Sequence, residues 1–220
     1  MTYSLYVNAG VVLAVSQALS PAIKKDVLDT VAFATLAADE DFPGELNDEQ
    51  WFGTHSEMLT SCGWSLFAHE MDQVPLIKGQ FLSARAAIGH VAELRLPGHQ
   101  AAVISAALEA LASVTRSGEL PERFSQHCLV SDAQTSWLRA MVGIVEDDGI
   151  LSIVSVSFNT SEQSGKGKVS PDSGRRATRL TYAARFNRDQ FEAFRQDTIE
   201  WLAQEPQPAY IEIGVFSGPV

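Results

Sequence analysis

Two cysteines, Cys62 and Cys128, are all the thiol chemistry that 220 residues hold. Two cannot build the disulfide framework of a small secreted scaffold. Long hydrophobic runs are missing too: none approaches the roughly 20 apolar residues of a membrane-spanning helix. Residues 9–19 are apolar, yet no Lys or Arg precedes them. A Sec signal peptide wants a basic start, so this stretch is expected in the core. The expected location is the cytoplasm, or outside the cell by a route that uses no Sec signal. Basic charge is also scarce, with 16 Lys and Arg against 27 Asp and Glu and a formal net charge of −11. That balance argues against nucleic acid as a partner. No internal repeat occurs at a solenoid period.

What is present is ordinary for a soluble globular chain: 45% hydrophobic and 20% charged residues. The length suits one domain over 1–220, able to bury its own core. The charge is uneven. Residues 161–188 carry Lys166, Lys168, Arg175, Arg176, Arg179, Arg185 and Arg188 against only Glu162 and Asp172. They form a basic island on an acidic protein.

The most informative stretch is 135–158, a β-rich segment broken at Asp148-Gly149, which is a strong hairpin signal. Side chains alternate along a strand, so Leu138, Ala140, Val142 and Ile144 share one face. A two-residue loop would set Val142 beside Ser155. A three-residue loop, Asp147-Asp148-Gly149, sets Val142 beside Val154, Ala140 beside Val156 and Leu138 beside Phe158. The second register matches apolar with apolar and is the one expected, with Gly149 in the left-handed region.

Elsewhere the chain reads as helices followed by strands. Residues 3–16 suggest a strand running into a helix. Ser20-Pro21 is an N-cap with Pro at the first helical position, opening a helix over 21–39. Asn47 caps a second helix that Gly63 stops, and 64–67 is a short extended piece. A short helix opens at Ser83, and another follows Pro97-Gly98 to about Thr115. A strand at 126–131 precedes the hairpin. Residues 159–176 have no apolar anchors and read as a long loop. A strand then carries Leu180, Tyr182, Ala184 and Phe186 on one face, with Arg179, Thr181 and Arg185 on the other. Asn187 caps a last helix, and a final strand covers 210–216. The expected class is α+β: an antiparallel sheet of about four to six strands, mostly in the C-terminal half. N-terminal helices and one late helix cover it, with the helical part at 11–118 and the β-rich part at 124–220.

Catalytic and metal motifs are thin. His69-Glu70 opens like a zinc-protease helix, but position 73 is Gln, not His. His55, His69, His90, His99 and His127 show no other metal-ligand spacing, so neither a metal nor a cofactor is expected. Residues 164–168 lack the glycine spacing of a phosphate loop. Cys62 is the one candidate nucleophile, with His55 two turns earlier on the same helical face. A helix C-terminus raises rather than lowers a thiol's pKa, which favours a buried apolar role.

The expected binding surface is the Ser/Arg side of the strand pair with its loop: Arg139, Ser155, Ser157, Lys166, Lys168, Arg175, Arg176, Arg179 and Arg185. The expected function is a non-enzymatic interaction protein that uses this surface to bind a protein partner or itself. The alternative is a membrane-active or pore-forming protein that rearranges a 150–186 hairpin, since strands of about ten residues are what transmembrane barrels use. A cysteine-dependent hydrolase or deamidase ranks third.

Overall fold

The elements follow in the order β1 (Thr2–Asn8), β2 (Val11–Ser16), α1 (Pro21–Asp41), α2 (Asp48–Ser61), β3 (Trp64–Pro75), α3 (Ala84–Arg95) and α4 (Gly98–Arg116). Then come β4 (Leu129–Ser131), β5 (Ser136–Val145), β6 (Ile150–Thr160), β7 (Arg176–Phe186), α5 (Arg188–Phe191), α6 (Arg195–Leu202) and β8 (Tyr210–Ser217). The structure is a computed structural model that describes residues 1–42, 48–75, 84–116, 129–131, 136–160, 176–205 and 208–218. The expected caps at Asn47 and Ser83 lie outside the described residues, as does most of the expected loop.

Local chemistry accounts for the element ends. Ser20 accepts a hydrogen bond from the Ile23 amide at 3.3 Å, with Pro21 opening α1. Asn187 accepts from the amides of Asp189 and Gln190 and caps α5. The expected last helix is therefore two pieces, α5 and α6. Gly63 ends α2 with φ +84, where a Cβ would meet the Asn187 carbonyl oxygen at 2.6 Å.

The class is α+β, as expected, with a mostly antiparallel sheet covered by helices. Among the described residues seven strands, more than the four to six expected, run in the order β3-β7-β6-β5-β2-β1-β8, and β4 pairs with β5 beside this path. The β2–β5 pair is parallel. Two strands, β2 and β3, lie within the part expected to be helical or only briefly extended. Residues 3–16 form a hairpin, because Ala9 and Gly10 both take positive φ, at 42° and 88°, and turn the chain back. The strand β3 continues to Pro75, and a bulge between Leu66 and Ala68 breaks its alternation.

Both sheet faces are buried under helices. On one, α1 and α2 cover Val11, Leu13, Val15, Met141, Val145, Leu151, Ile153, Leu180, Tyr182 and Ala184. On the other, α3 and α4 cover Val12, Ala14, Ala140, Val142, Ile144, Val154, Val156 and Phe158.

The β5–β6 hairpin has the expected register, with Val142 opposite Val154, Ala140 opposite Val156 and Leu138 opposite Phe158. The amide of Gly149 donates to the Glu146 carbonyl at 3.1 Å, and Gly149 has φ +76. A Cβ at Gly149 would meet nothing within 4 Å, so any penalty for a side chain there is purely backbone. Gly149→Val is expected to lower stability by about 1–2 kcal/mol, the cost of a left-handed non-glycine residue. Gly149→Asn should lose less. Equal denaturation midpoints for wild type and Gly149→Val would contradict this.

Candidate functional site

The registers of β5, β6, β7 and β3 define rows of side chains that cross four strands. On the α1–α2 face the successive rows are Arg139–Ser157–Thr178–Gln73, Met141–Ser155–Leu180–Met71, Gly143–Ile153–Tyr182–His69 and Val145–Leu151–Ala184–Leu66. Phe186 and Trp64 close the face. Its polar side chains thus gather toward one end, and beyond that row the face is apolar except for Ser155 and, on the edge strand, His69. On the α3–α4 face the rows are split instead. Ala140–Val156 continues into Arg179–Asp72, and Val142–Val154 into Thr181–Glu70.

This corrects the expected Ser/Arg surface in two ways. Val156 pairs with Arg179 and Ser155 with Leu180, so Ser155 and Ser157 lie on the opposite face from Arg179, Thr181 and Arg185. A one-residue slip across the 161–175 connection moves every side chain to the other face. The serine side is also not solvated: Arg139, Ser155 and Ser157 are all buried beneath the helices.

What holds them there is a polar latch at the start of α2. Asp48 is in its first turn, where the helix dipole favours a carboxylate. The Ser157 hydroxyl donates to Asp48 Oδ2 at 2.6 Å. Arg139 Nη1 lies 3.6 Å from Asp39 Oδ1 and Nη2 lies 3.7 Å from Asp48 Oδ1. Its guanidinium carbon stands 3.8 Å from the Trp51 ring centroid, while Trp51 Nε1 donates to Asp39 at 2.8 Å. One buried cation on the sheet is thereby held by α1 and α2 together. Sequence reading found Arg139 but did not name Asp39, Asp48 or Trp51 as its partners. No local pattern links residues about 90 positions apart.

Three further groups of contacts extend this layer. His55 is wholly buried and stacks on Trp51 at 5.1 Å between centroids, with Tyr182 at 6.0 Å. Burial, with Arg139 adding to it, pushes the His55 pKa down to about 3. On the far side of α1, buried Asp26 accepts from Arg188 Nε at 3.0 Å and from Arg195. Phe33 meets Trp201 edge-on at 5.1 Å. These contacts join α5 and α6 to the α1–α2 layer.

The remaining expected site residues lie apart. Arg179 Nε donates to Asp72 Oδ1 at 3.0 Å, and Arg95 of α3 reaches Glu70 and Asp72, each at 2.9 Å. These bonds tie α3 to the β7–β3 side of the sheet, and the hydrogen bond from Arg179 foremost holds the Asp72 carboxyl below its usual range. Arg185 is exposed. Arg176 begins β7, and Lys166, Lys168 and Arg175 lie outside the described residues, with Cys128 and His127. Cys62 is buried, with Thr198 Oγ1 3.9 Å from its sulfur, and burial pushes its thiol up to about 11. Such a thiol is a poor nucleophile. Among the described residues no group of three or more His, Cys, Asp or Glu could hold a metal ion.

No protein family matches the chain, and no characterised protein matches it in sequence. Two solved structures are similar in part. One is a delta-endotoxin, 8% identical with a TM-score of 0.46, over 82% of this chain and 84% of that one. The other is the activated Cyt2Ba monomer from Bacillus thuringiensis subsp. israelensis, 11% identical with a TM-score of 0.47, over 82% and 99%. Scores this low mark a partial likeness of chain course, which carries no inference about activity.

The latch makes an energetic prediction. Arg139→Met leaves Asp39 and Asp48 facing each other without the cation. Removing one partner of a buried pair costs about 3–5 kcal/mol. Both carboxylates keep some solvent access, at 27% and 16% side-chain exposure, so a loss of about 1–3 kcal/mol is expected. Adding Asp48→Asn should restore part of it. Additive losses in urea unfolding of the single and double variants would contradict the coupling.

Proposed function

We propose that the protein is membrane-active, and that the α1–α2 layer, with α5 and α6, leaves the sheet so that the face beneath it meets lipid. The carrying observation is the row structure of that face. The strands β5, β6, β7 and β3 are 10, 11, 11 and 12 residues long, and a tilted transmembrane strand needs about 9–11. From Leu180 to Phe186 the apolar rows run about 20 Å along the strand at ~3.4 Å per residue, which a tilt of about 35–45° turns into about 15 Å of the ~25 Å lipid band of a barrel. Arg139 stands in the polar end row, where an interfacial arginine costs only about 0–1 kcal/mol and its long stem can reach the headgroups.

A lipid face made of Val154, Val156 and Phe158 with Leu180, Tyr182, Ala184 and Phe186 cannot form, since these residues occupy opposite faces. With Val154, Val156 and Phe158 outward, Arg179 would enter the hydrocarbon beside Val156, at a cost of about 2–4 kcal/mol near the midplane. The split face keeps its α3–α4 cover in this reading, bound by the Arg95 ion pairs. No described helix is long and apolar enough to cross a membrane, so crossing falls to strands.

A partner-binding face of Arg139, Ser155 and Ser157 would need the same helices to move, because all three are buried. The membrane reading gives that movement a driving force. Each large apolar side chain uncovered forfeits about 1.5–3 kcal/mol in water, and a bilayer restores it.

The test is leakage of dye-loaded phospholipid vesicles. An Asp48→Cys/Ser157→Cys variant, lacking Cys62 and Cys128, is bridged by a short thiol cross-linker across the 2.6 Å contact. The unbridged variant is expected to release dye and the bridged one to release none. Equal leakage from both, or none from wild type with any phospholipid, would overturn the proposal.

A further inference from the structure

The α1–α2 layer contains a group that its other contacts do not use. His55 is wholly buried in the middle of α2. Neither Nδ1 nor Nε2 has a hydrogen-bond partner among the described residues. Its ring lies against Trp51 at 5.1 Å, Phe52 at 5.6 Å and Tyr182 at 6.0 Å between centroids. The Tyr182 hydroxyl is likewise buried without a partner, and burial raises its pKa well above the usual value. A buried imidazole normally donates one N–H to a carbonyl or carboxylate, because an orphaned polar atom costs about 1–3 kcal/mol. Here that cost is borne at the seam between a helical layer and the sheet it covers.

Burial and the nearest charge, Arg139, both oppose a second proton on the ring. From β5 comes the Arg139 cation, which shares the Trp51 ring with His55. From β7 comes neutral Tyr182. From β3 comes His69, stacked on Phe52 at 5.7 Å. The carboxylates of the neighbourhood, Asp39 from α1 and Asp48 from α2, are engaged by Arg139. An imidazolium at this place would be a buried cation beside a buried cation.

We infer that His55 is the acid trigger of the layer: taking up a proton forces α2 off the sheet and frees the latched face. The inference rests on the membrane reading above and names its regulation. In the closed state the ring stays neutral down to a pKa of about 3, and once released to solvent it titrates at an ordinary 6.5. The released state therefore binds the extra proton between these values. The closed state keeps its full advantage above pH 6.5 and loses it progressively as the pH falls toward 3. From about pH 7.5 to about pH 5 the opening equilibrium should rise about 30-fold.

Amide hydrogen exchange of the intact protein reads this directly, corrected for intrinsic rates. The expected result is a rise of about 30-fold in α2 between those two pH values, with α3 and α4 unchanged. In His55→Phe, which keeps the aromatic stack, the α2 rise should vanish. A rise that persists in His55→Phe would assign the trigger to Asp39, Asp48 or His69 and overturn the inference. So would a flat wild-type profile, or an equal rise in α3 and α4, which would mean global unfolding. Should His55→Phe not fold, His55→Met serves with the same readings. Leakage from phosphatidylcholine vesicles, with and without phosphatidylglycerol, separates the two claims. An acid-opened α2 without leakage at either pH supports the trigger and defeats the membrane reading. Leakage equal at both pH values supports the membrane reading and defeats the trigger.

Discussion

A buried guanidinium on a sheet must be neutralised from outside the sheet, and much of this structure answers that demand. Arg139 has Ser157 and Met141 as neighbours on its own face, neither of which carries charge. Its carboxylates come from Asp39 near the end of α1 and Asp48 at the start of α2. The two helices are thus pinned at one corner by ions and elsewhere by apolar contact. Ionic contacts lose little when water enters, whereas apolar contacts lose most of their value. In the proposed reading, a layer attached in this mixed way stays off the sheet only when another apolar medium is on offer.

The second constraint is the register between β6 and β7. It sets Val156 against Arg179 and Ser155 against Leu180. One face becomes mostly apolar beyond a polar end row, and the other is divided into an apolar half and a charged half. The charged half is tied to α3 through Arg95, Glu70 and Asp72. The two helical layers therefore differ in kind, one lying on a mostly apolar face and the other bonded to a charged one. His55 lies under the first.

The β5–β6 hairpin was legible in the sequence because two independent signals agreed, the Asp148-Gly149 turn and the apolar parity of both flanks. The β6–β7 register was not legible. Residues 161–175 are too long a connection for turn geometry to fix pairing, and matching apolar with apolar fails in a sheet buried on both faces. The run Val11–Ser16 was ambiguous for the same reason: a strand covered on both sides loses its alternation and reads like a buried helix. The strand β3 was hidden by its bulge and its exposed edge position. Of the site, Arg139, Ser157 and His55 were named in advance, but their grouping required tertiary contacts that no spacing encodes. Cys62 fits its apolar reading, buried and raised in pKa.

The central claim is that one face, and not the other, meets lipid. Photo-crosslinking from diazirine-bearing acyl chains tests it on the unmodified protein, because alternate residues of one strand report opposite faces. The account predicts adducts on Met141, Ile153, Leu180 and Tyr182, with Val142, Val154 and Val156 unlabelled beneath α3 and α4. Adducts on Val142, Val154 and Val156, or on helices alone, would contradict it.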